Sequence, residues 1–311
     1  MPETTVSPDD ARPDITVTPD QEELIQEAKA LEADLAGLDA LELAGSPKRE
    51  LAARVWSGTW PKVAAVVLAL FLWQCVVWSH WKREDILPGP VTVFGTLRDN
   101  LASGLVWEAV STTMSRAITG YLLAVLIGVI VGALVVRVRV VRVAVGSMIT
   151  GLMTMPSIAW FPLAILLFKG GEGAIFFVVV IGAAPAIANG LISGADNIPP
   201  ILIRAGRVLG AKRLALFRHV ILPASLPGFV GGLKQGWAFA WRSLLAGELL
   251  VLTGRTAVGV QLQNARELGD APWLLSTMIV ILIIGIVVDT FVFGQLERTI
   301  RKRWGLVDTA T

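Results

Sequence analysis

Three ionisable side chains, Lys234, Arg242 and Glu248, stand inside a single long apolar run over residues 229–252. A guanidinium at the centre of a lipid-embedded helix costs about 3 kcal/mol on insertion scales, so something must offset Arg242. With Arg242 as the zero of a helical wheel, Gln235 falls at about +20°, Lys234 at about −80°, Trp241 at about −100° and Glu248 at about −120°. These residues share one broad face, and ionisable groups inside a span face a bundle interior or an aqueous cavity. The chemistry such a face would offer, if it lines a cavity, is anion binding. A guanidinium fork suits a carboxylate, sulfonate or nitrate through paired, charge-assisted hydrogen bonds. Trp160, Trp237 and Trp241, with Phe161 between Pro156 and Pro162, are the candidate aromatic walls. The competing reading is structural: Arg242 paired with Glu248, Lys234 snorkelling to the membrane edge, and the rings packed. Six residues of helix set Arg242 and Glu248 about 120° apart, which makes Glu248 an imperfect counter-ion.

Other chemistries have little to stand on. The single cysteine, Cys75, excludes an intramolecular disulfide and a cysteine-based zinc cluster. His80 and His219 are the only histidines, and neither stands near a nucleophile or a carboxylate pair. No catalytic residue and no metal ligand is therefore assigned. The chain contains no G-x-x-x-x-G-K followed by Ser or Thr, so it has no phosphate-cradling loop of its own. Nothing in it reads as an enzyme.

The elements that must position Arg242 follow from composition. Of the 311 residues, 54% are apolar before glycine is counted, and only 17% are charged. Soluble domains have about 45–50% apolar residues with glycine included and about 25% charged ones. A membrane protein is implied. Residues 1–60 hold 13 acids and 5 bases, whereas the other 251 hold 12 acids and 22 bases. Those bases lie in short clusters between apolar runs, which argues against nucleic acid as a partner.

Six apolar stretches, over 63–81, 117–136, 144–168, 174–193, 229–252 and 274–296, have lengths near the roughly 20 residues a bilayer requires. Trp60, Trp73, Trp78 and Trp81 bracket the first as an aromatic belt. One set of loops carries Arg137, Arg139, Arg142, Arg204, Arg207, Lys212, Arg213, Arg218, Arg298, Arg301, Lys302 and Arg303. The other carries Lys82, Arg83, Arg98, Arg116, Lys169, Arg255 and Arg266 over longer segments. The positive-inside rule then predicts that both termini are cytoplasmic. Residues 1–50 form an acidic cytoplasmic tail without the basic start and apolar core of a signal peptide. Within it, Leu24, Ala28, Leu31, Leu35 and Leu38 predict an amphipathic helix over about 21–43, suited to docking on a partner.

The loop between the fourth and fifth stretches, residues 197–227, is the most informative. Pro199 and Pro200 suit a helix start, and Pro223 and Pro227 mark its exit. Between them Ile203, Val208, Leu209 and Leu216 give apolar contacts while Arg and Lys face water. That is a short basic amphipathic helix along the cytoplasmic face, held by anionic lipid or docked on a second protein.

This loop resembles the EAA motif of binding-protein-dependent ABC importer permeases. Arg204-Ala205-Gly206 takes the place of the EAA triplet, Gly210 that of the glycine, and Val220-Ile221-Leu222-Pro223 that of the ending. Met155–Phe168 (MPSIAWFPLAILLF) resembles the P-x-x-A-W-x-P-L-x-I-x-x-F signature of the nitrate/sulfonate/taurine/bicarbonate branch. Ile86-Leu87-Pro88-Gly89-Pro90, Ala240-Trp241 and Ala246-Gly247-Glu248 resemble further segments of that branch, and Lys169 departs from its usual glycine.

The resemblance covers about residues 60–303. It implies an all-α, polytopic type I ABC importer permease fold with six transmembrane helices over residues 51–311, in the bacterial cytoplasmic (inner) membrane. The implied assembly is a permease homodimer with two separate ATPase subunits, which hold ATP and magnesium, and an extracytoplasmic solute-binding protein. Arg204, Ala205, Gly206, Leu209, Gly210, Ala211, Phe217 and Pro223 become the coupling helix seated on the ATPase. ATP can switch the cavity only through contacts that differ between the two states, and this helix is where they would lie. The implied substrate is a small anion, although relatives also carry aromatic or heterocyclic ligands. The alternative is a stand-alone secondary transporter or channel. It needs an internal coupling relay, for which only Glu248 and Asp289 lie within spans.

Overall fold

Long apolar runs separated by Gly, Pro and basic clusters leave helices as the economical way to satisfy backbone groups in lipid. The computed structural model describes residues 28–32, 47–251 and 254–303, and every regular element among them is helical. The chain divides into two units, Met1–Leu72 and Trp73–Thr311. The first holds helical residues 28–32 and most of α1 (Pro47–Trp78). Over Thr59–Trp78, α1 is long and apolar enough to cross a membrane, and Val63, Val67 and Phe71 are exposed as lipid-facing residues would be. The rest of the expected 21–43 helix and most of the acidic tail lie outside the described residues.

In the second unit α2 (Pro90–Ala102) and α3 (Leu105–Arg137) lead into α4 (Arg139–Thr154) and α5 (Phe161–Phe168). The buried centre is α6 (Glu172–Asp196), packed between α3 and α9 (Leu222–Leu250). Between α6 and α9 lie two short loop helices, α7 (Pro200–Val208) and α8 (Arg213–Leu216). The chain closes with α10 (Val258–Leu268), α11 (Ala271–Val287) and α12 (Gly294–Arg303), the last two joined by a π-helical segment, Val288–Phe293.

Hydrocarbon does not drive apolar helices together, so close packing of small residues must. Gly190 and Gly194 of α6 lie directly against Gly232 and Gly228 of α9, where any Cβ would fall on the opposite backbone. On the other face of α6, a Cβ on Gly128 of α3 would come within 2.8 Å of the Ala184 carbonyl. Among the described residues four helices are long and apolar enough to cross a membrane, or five if the bent pair α4–α5 is one span. The 29-residue α9 is less apolar because it carries Lys234, Arg242 and Glu248.

Two expectations need correction. The third stretch, 144–168, is not one helix: α4 and α5 meet at 103°, separated by a 3₁₀ turn at Ser157–Trp160. Pro156 is the cause, since the residue before a proline is pushed out of the helical region, and Met155 is extended at φ −78°, ψ 127°. The loop helix is likewise two helices. α7 ends at Val208, and Pro223 lies in the first turn of α9 and Pro227 inside it, not at a helix exit. Ile203 and Leu216 are at least partly buried as expected, but Val208 and Leu209 are each 86% exposed.

Candidate functional site

Three features stand out: a buried charge cluster, a cavity at the break between α4 and α5, and the turn that ends α7.

The cluster is built around Glu248, which is fully buried near the C-terminal end of α9. Its carboxylate accepts from Arg116 Nη1 at 3.1 Å, from Thr113 Oγ1 at 2.9 Å and from the Gly259 backbone N–H at 3.0 Å. Thr113 Oγ1 in turn accepts from the Val258 N–H at 2.9 Å. α10 has no side-chain cap of its own, so a carboxylate and a hydroxyl from two other helices satisfy its first amides. Arg116 is only 4% exposed and spends its second amino group on Glu172 at 2.9 Å, at the start of α6. Arg255 reaches the same Glu172 oxygen at 3.4 Å from a far more exposed position. Two bases and two acids thus bind α3, α6, α9 and α10 into one knot. Deeper along α9, Lys234 pairs with Asp289 at 3.2 Å.

The cavity, about 290 Å³, lies where α4 breaks. Its polar lining comprises Thr154, Ser157 and Arg242, and no acid lines it. Arg242 is exposed, its Nε donates to the Ala238 carbonyl at 3.0 Å, and its guanidinium sits 4.9 Å from the Phe239 ring. Ser243, next to it and buried, donates to Ser157 Oγ at 2.7 Å. Gly182 makes that approach possible, since a Cβ there would lie 2.5 Å from Ser243 Oγ.

At the end of α7, Gly210 is left-handed at φ 81°. The Ala211 N–H donates to the Gly206 carbonyl and the Gly210 N–H to the Arg207 carbonyl, both at 3.0 Å, which is a Schellman stop. Gly206 is buried, and a Cβ there would meet Leu216 Cδ1 at 2.7 Å, so glycine lets α7 fold onto α8. Arg204, Ala205 and Leu209 are exposed, Ala211 and Pro223 are half-buried, and Phe217 is 49% exposed.

Of the expected passage residues, the structure brings Arg242 to this cavity, while Lys234 lines a separate one. Trp237 and Trp241 are buried and stacked at 6.3 Å, with Tyr121 edge-on to Trp237 at 5.3 Å, so they are core and not wall. Trp160 is half-buried in the 3₁₀ turn, and its Nε1 has no hydrogen-bond partner among the described residues. Glu248 faces Arg116 and not Arg242. Reasoning from sequence missed Thr113, Arg116, Glu172 and Arg255 as one cluster, and Ser157, Ser243 and Gly182 as the cavity's frame. The available signal was the unpartnered Glu248 together with Thr113 and Arg116, three residues apart and so on one helix face.

The helical core matches the inward-facing MetNI methionine ABC transporter with a TM-score of 0.54 at 21% identity, covering 63% of this chain and 96% of that one. The family model of the binding-protein-dependent transport system inner membrane component matches residues 124–303. The riboflavin transport system permease RibX of Chloroflexus aurantiacus is 30% identical over 249 residues, which cover 79% of this chain and 91% of that protein. The nitrate import permease NrtB of Leptolyngbya laminosa is 30% identical over 61% of this chain and 67% of its own length. The aliphatic sulfonates transport permease SsuC of Bacillus subtilis is 27% identical over 76% and 84%. The chain belongs to the binding-protein-dependent transport system inner membrane component family. It is a multi-pass permease of an ABC importer, a transport component that works with an ATPase and a binding protein.

Proposed function

We propose that this permease moves a small anion into the cytoplasm, as one of two identical copies in an assembly with two ATPase subunits. Both termini lie in the cytoplasm, and the binding protein delivers substrate at the opposite face. The loop 199–223 seats on the ATPase, which alone holds ATP and magnesium. The observation that carries this reading is the end of α7, where Val208 and Leu209 are presented to solvent at 86% on a turn stiffened by Gly210. Exposed apolar side chains on a rigid tip mark a protein contact. Two relatives named for nitrate and sulfonates favour an anion, and RibX keeps a larger heterocycle in view.

Gly210→Glu tests the coupling role. Side chains strain at φ 81°, at a cost of about 1–2 kcal/mol, and the new carboxylate sits beside the exposed tip. Nothing lies within 4 Å of a Cβ there, so the permease itself has room for it. Substrate-stimulated ATP hydrolysis by the assembled complex should collapse while membrane insertion persists. Normal stimulation would remove the loop from the coupling path. Binding screens on the cognate solute-binding protein would identify the substrate.

A further inference from the structure

Non-helical backbone at membrane depth is tolerated only where protein buries it or where it lines a water-filled cavity. Thr154, Met155 and Pro156 are exposed in this chain, Met155 and Pro156 are non-helical, and all three line the cavity at the break. Arg242 opens on the same space, about 12 Å before the end of α9 at 1.5 Å per residue. Two independent features, a broken backbone and a charged side chain, thus require water at one level of the membrane.

The cavity holds a cation and no anion. Beyond Nε, the guanidinium makes no hydrogen bond among the described residues, and Phe239 stacks against it. The acids within spans are engaged elsewhere, Glu248 with Arg116 and Asp289 with Lys234. Ser157 accepts from Ser243, which leaves the Ser157 hydroxyl proton free to donate into the cavity. Around these two donors the walls are apolar: Leu152, Met153, Ile158 and Ala246. At about 290 Å³ the space lies at the small end of ligand pockets, which run from about 300 to 1,000 Å³.

We propose that this cavity is an oxyanion subsite on the passage, in which Arg242 and the Ser157 hydroxyl receive the charged end of a small amphiphilic anion, an alkyl sulfonate or carboxylate. Its short apolar tail lies against Leu152, Met153 and Ile158. A bare inorganic oxyanion leaves those walls uncovered. Conduction also requires weak binding, and one guanidinium with one hydroxyl meets that need. The proposal rests on the anion-importer reading and names where in the membrane the anion is held.

The test uses the complete complex of permease, ATPase and binding protein in proteoliposomes, with ethanesulfonate and nitrate as probes. Ethanesulfonate uptake should fall in the order wild type, Arg242→Lys, Arg242→Gln, the last by about tenfold or more, as loss of a charge-assisted contact requires. Complex assembly should be intact. A second measurement stands independently of transport. In a Cys75→Ala background, Ala246→Cys should react about tenfold faster with an anionic than with a cationic methanethiosulfonate, each normalised to a free thiol, as one nearby charge dictates. Arg242→Gln should erase that preference. An unreactive Cys at 246, equal normalised rates, or ethanesulfonate uptake unimpaired in Arg242→Gln would overturn the subsite and leave the anion reading standing. A wild-type complex that imports uncharged solutes and neither probe would overturn both.

Discussion

Glu248→Ala is expected to destabilise the folded permease by about 3–5 kcal/mol, the cost of breaking a buried ion pair from one side. The substitution takes the Glu248 carboxylate away from the Arg116 guanidinium, which is only 4% exposed. It also strips the carboxylate from the Gly259 N–H and leaves the Thr113 hydroxyl without its acceptor. α10 then loses the carboxylate cap that ties its first turn to α9. Arg116→Ala should do comparable damage by orphaning the fully buried Glu248. The double variant Arg116→Met/Glu248→Leu should be no worse than the poorer single one, because removing both charges avoids the uncompensated burial. Thermal unfolding of the purified protein in detergent measures all three. A Glu248→Ala variant within about 0.5 kcal/mol of wild type, the range of an ordinary surface change, would show that the cluster contributes little to holding the helices.

Gly232→Val should leave no folded permease, while Gly231→Ala, one residue away, should be silent or slightly stabilising. A single Cβ on Gly232 would lie 2.6 Å from Gly190 Cα and 3.1 Å from Gly190 N, with the Ala186 carbonyl at 3.2 Å. These are backbone atoms of α6 and cannot step aside as a side-chain end can. The helices must separate, and with them the most extensive contact in the molecule. Overpacking commonly costs about 1–3 kcal/mol, and a branched side chain against backbone belongs at or above the top of that range. Gly231 has nothing within 4 Å, so alanine there brings only its helix preference, up to about 1 kcal/mol. The yield of monodisperse protein after extraction reads the difference. Equal yields would mean that α6 and α9 are not packed glycine to glycine.

The parts legible in sequence were those carried by local chemistry. Run length marked most of the long apolar helices, whereas Gly210, read as lying within one loop helix, makes a left-handed stop. Pro156 was just as visible, but it was read only as a flank of the aromatic wall at Phe161. Its bias on Met155 was the sign of a break, and the break creates the cavity. Arg116 was counted among loop charges because hydropathy begins the second stretch at Ala117, whereas α3 starts at Leu105. The small residues Ala109, Thr113, Ala117 and Gly120 continue one buried stripe past it. Its partner Glu248 lies 132 residues away, beyond the reach of any periodicity. Trp237 and Trp241 were misplaced because a helical face about 120° wide includes both the cavity side and the core side of α9. Only tertiary packing separates them.

The central claim, an importer driven by a separate ATPase, is tested most directly by solute uptake into proteoliposomes containing the permease, its ATPase and its binding protein. Uptake is predicted to require enclosed ATP and the binding protein, and to persist when ionophores collapse every ion gradient. Uptake by the permease alone, driven by a proton or sodium gradient and indifferent to ATP, would contradict the account and establish a secondary transporter instead.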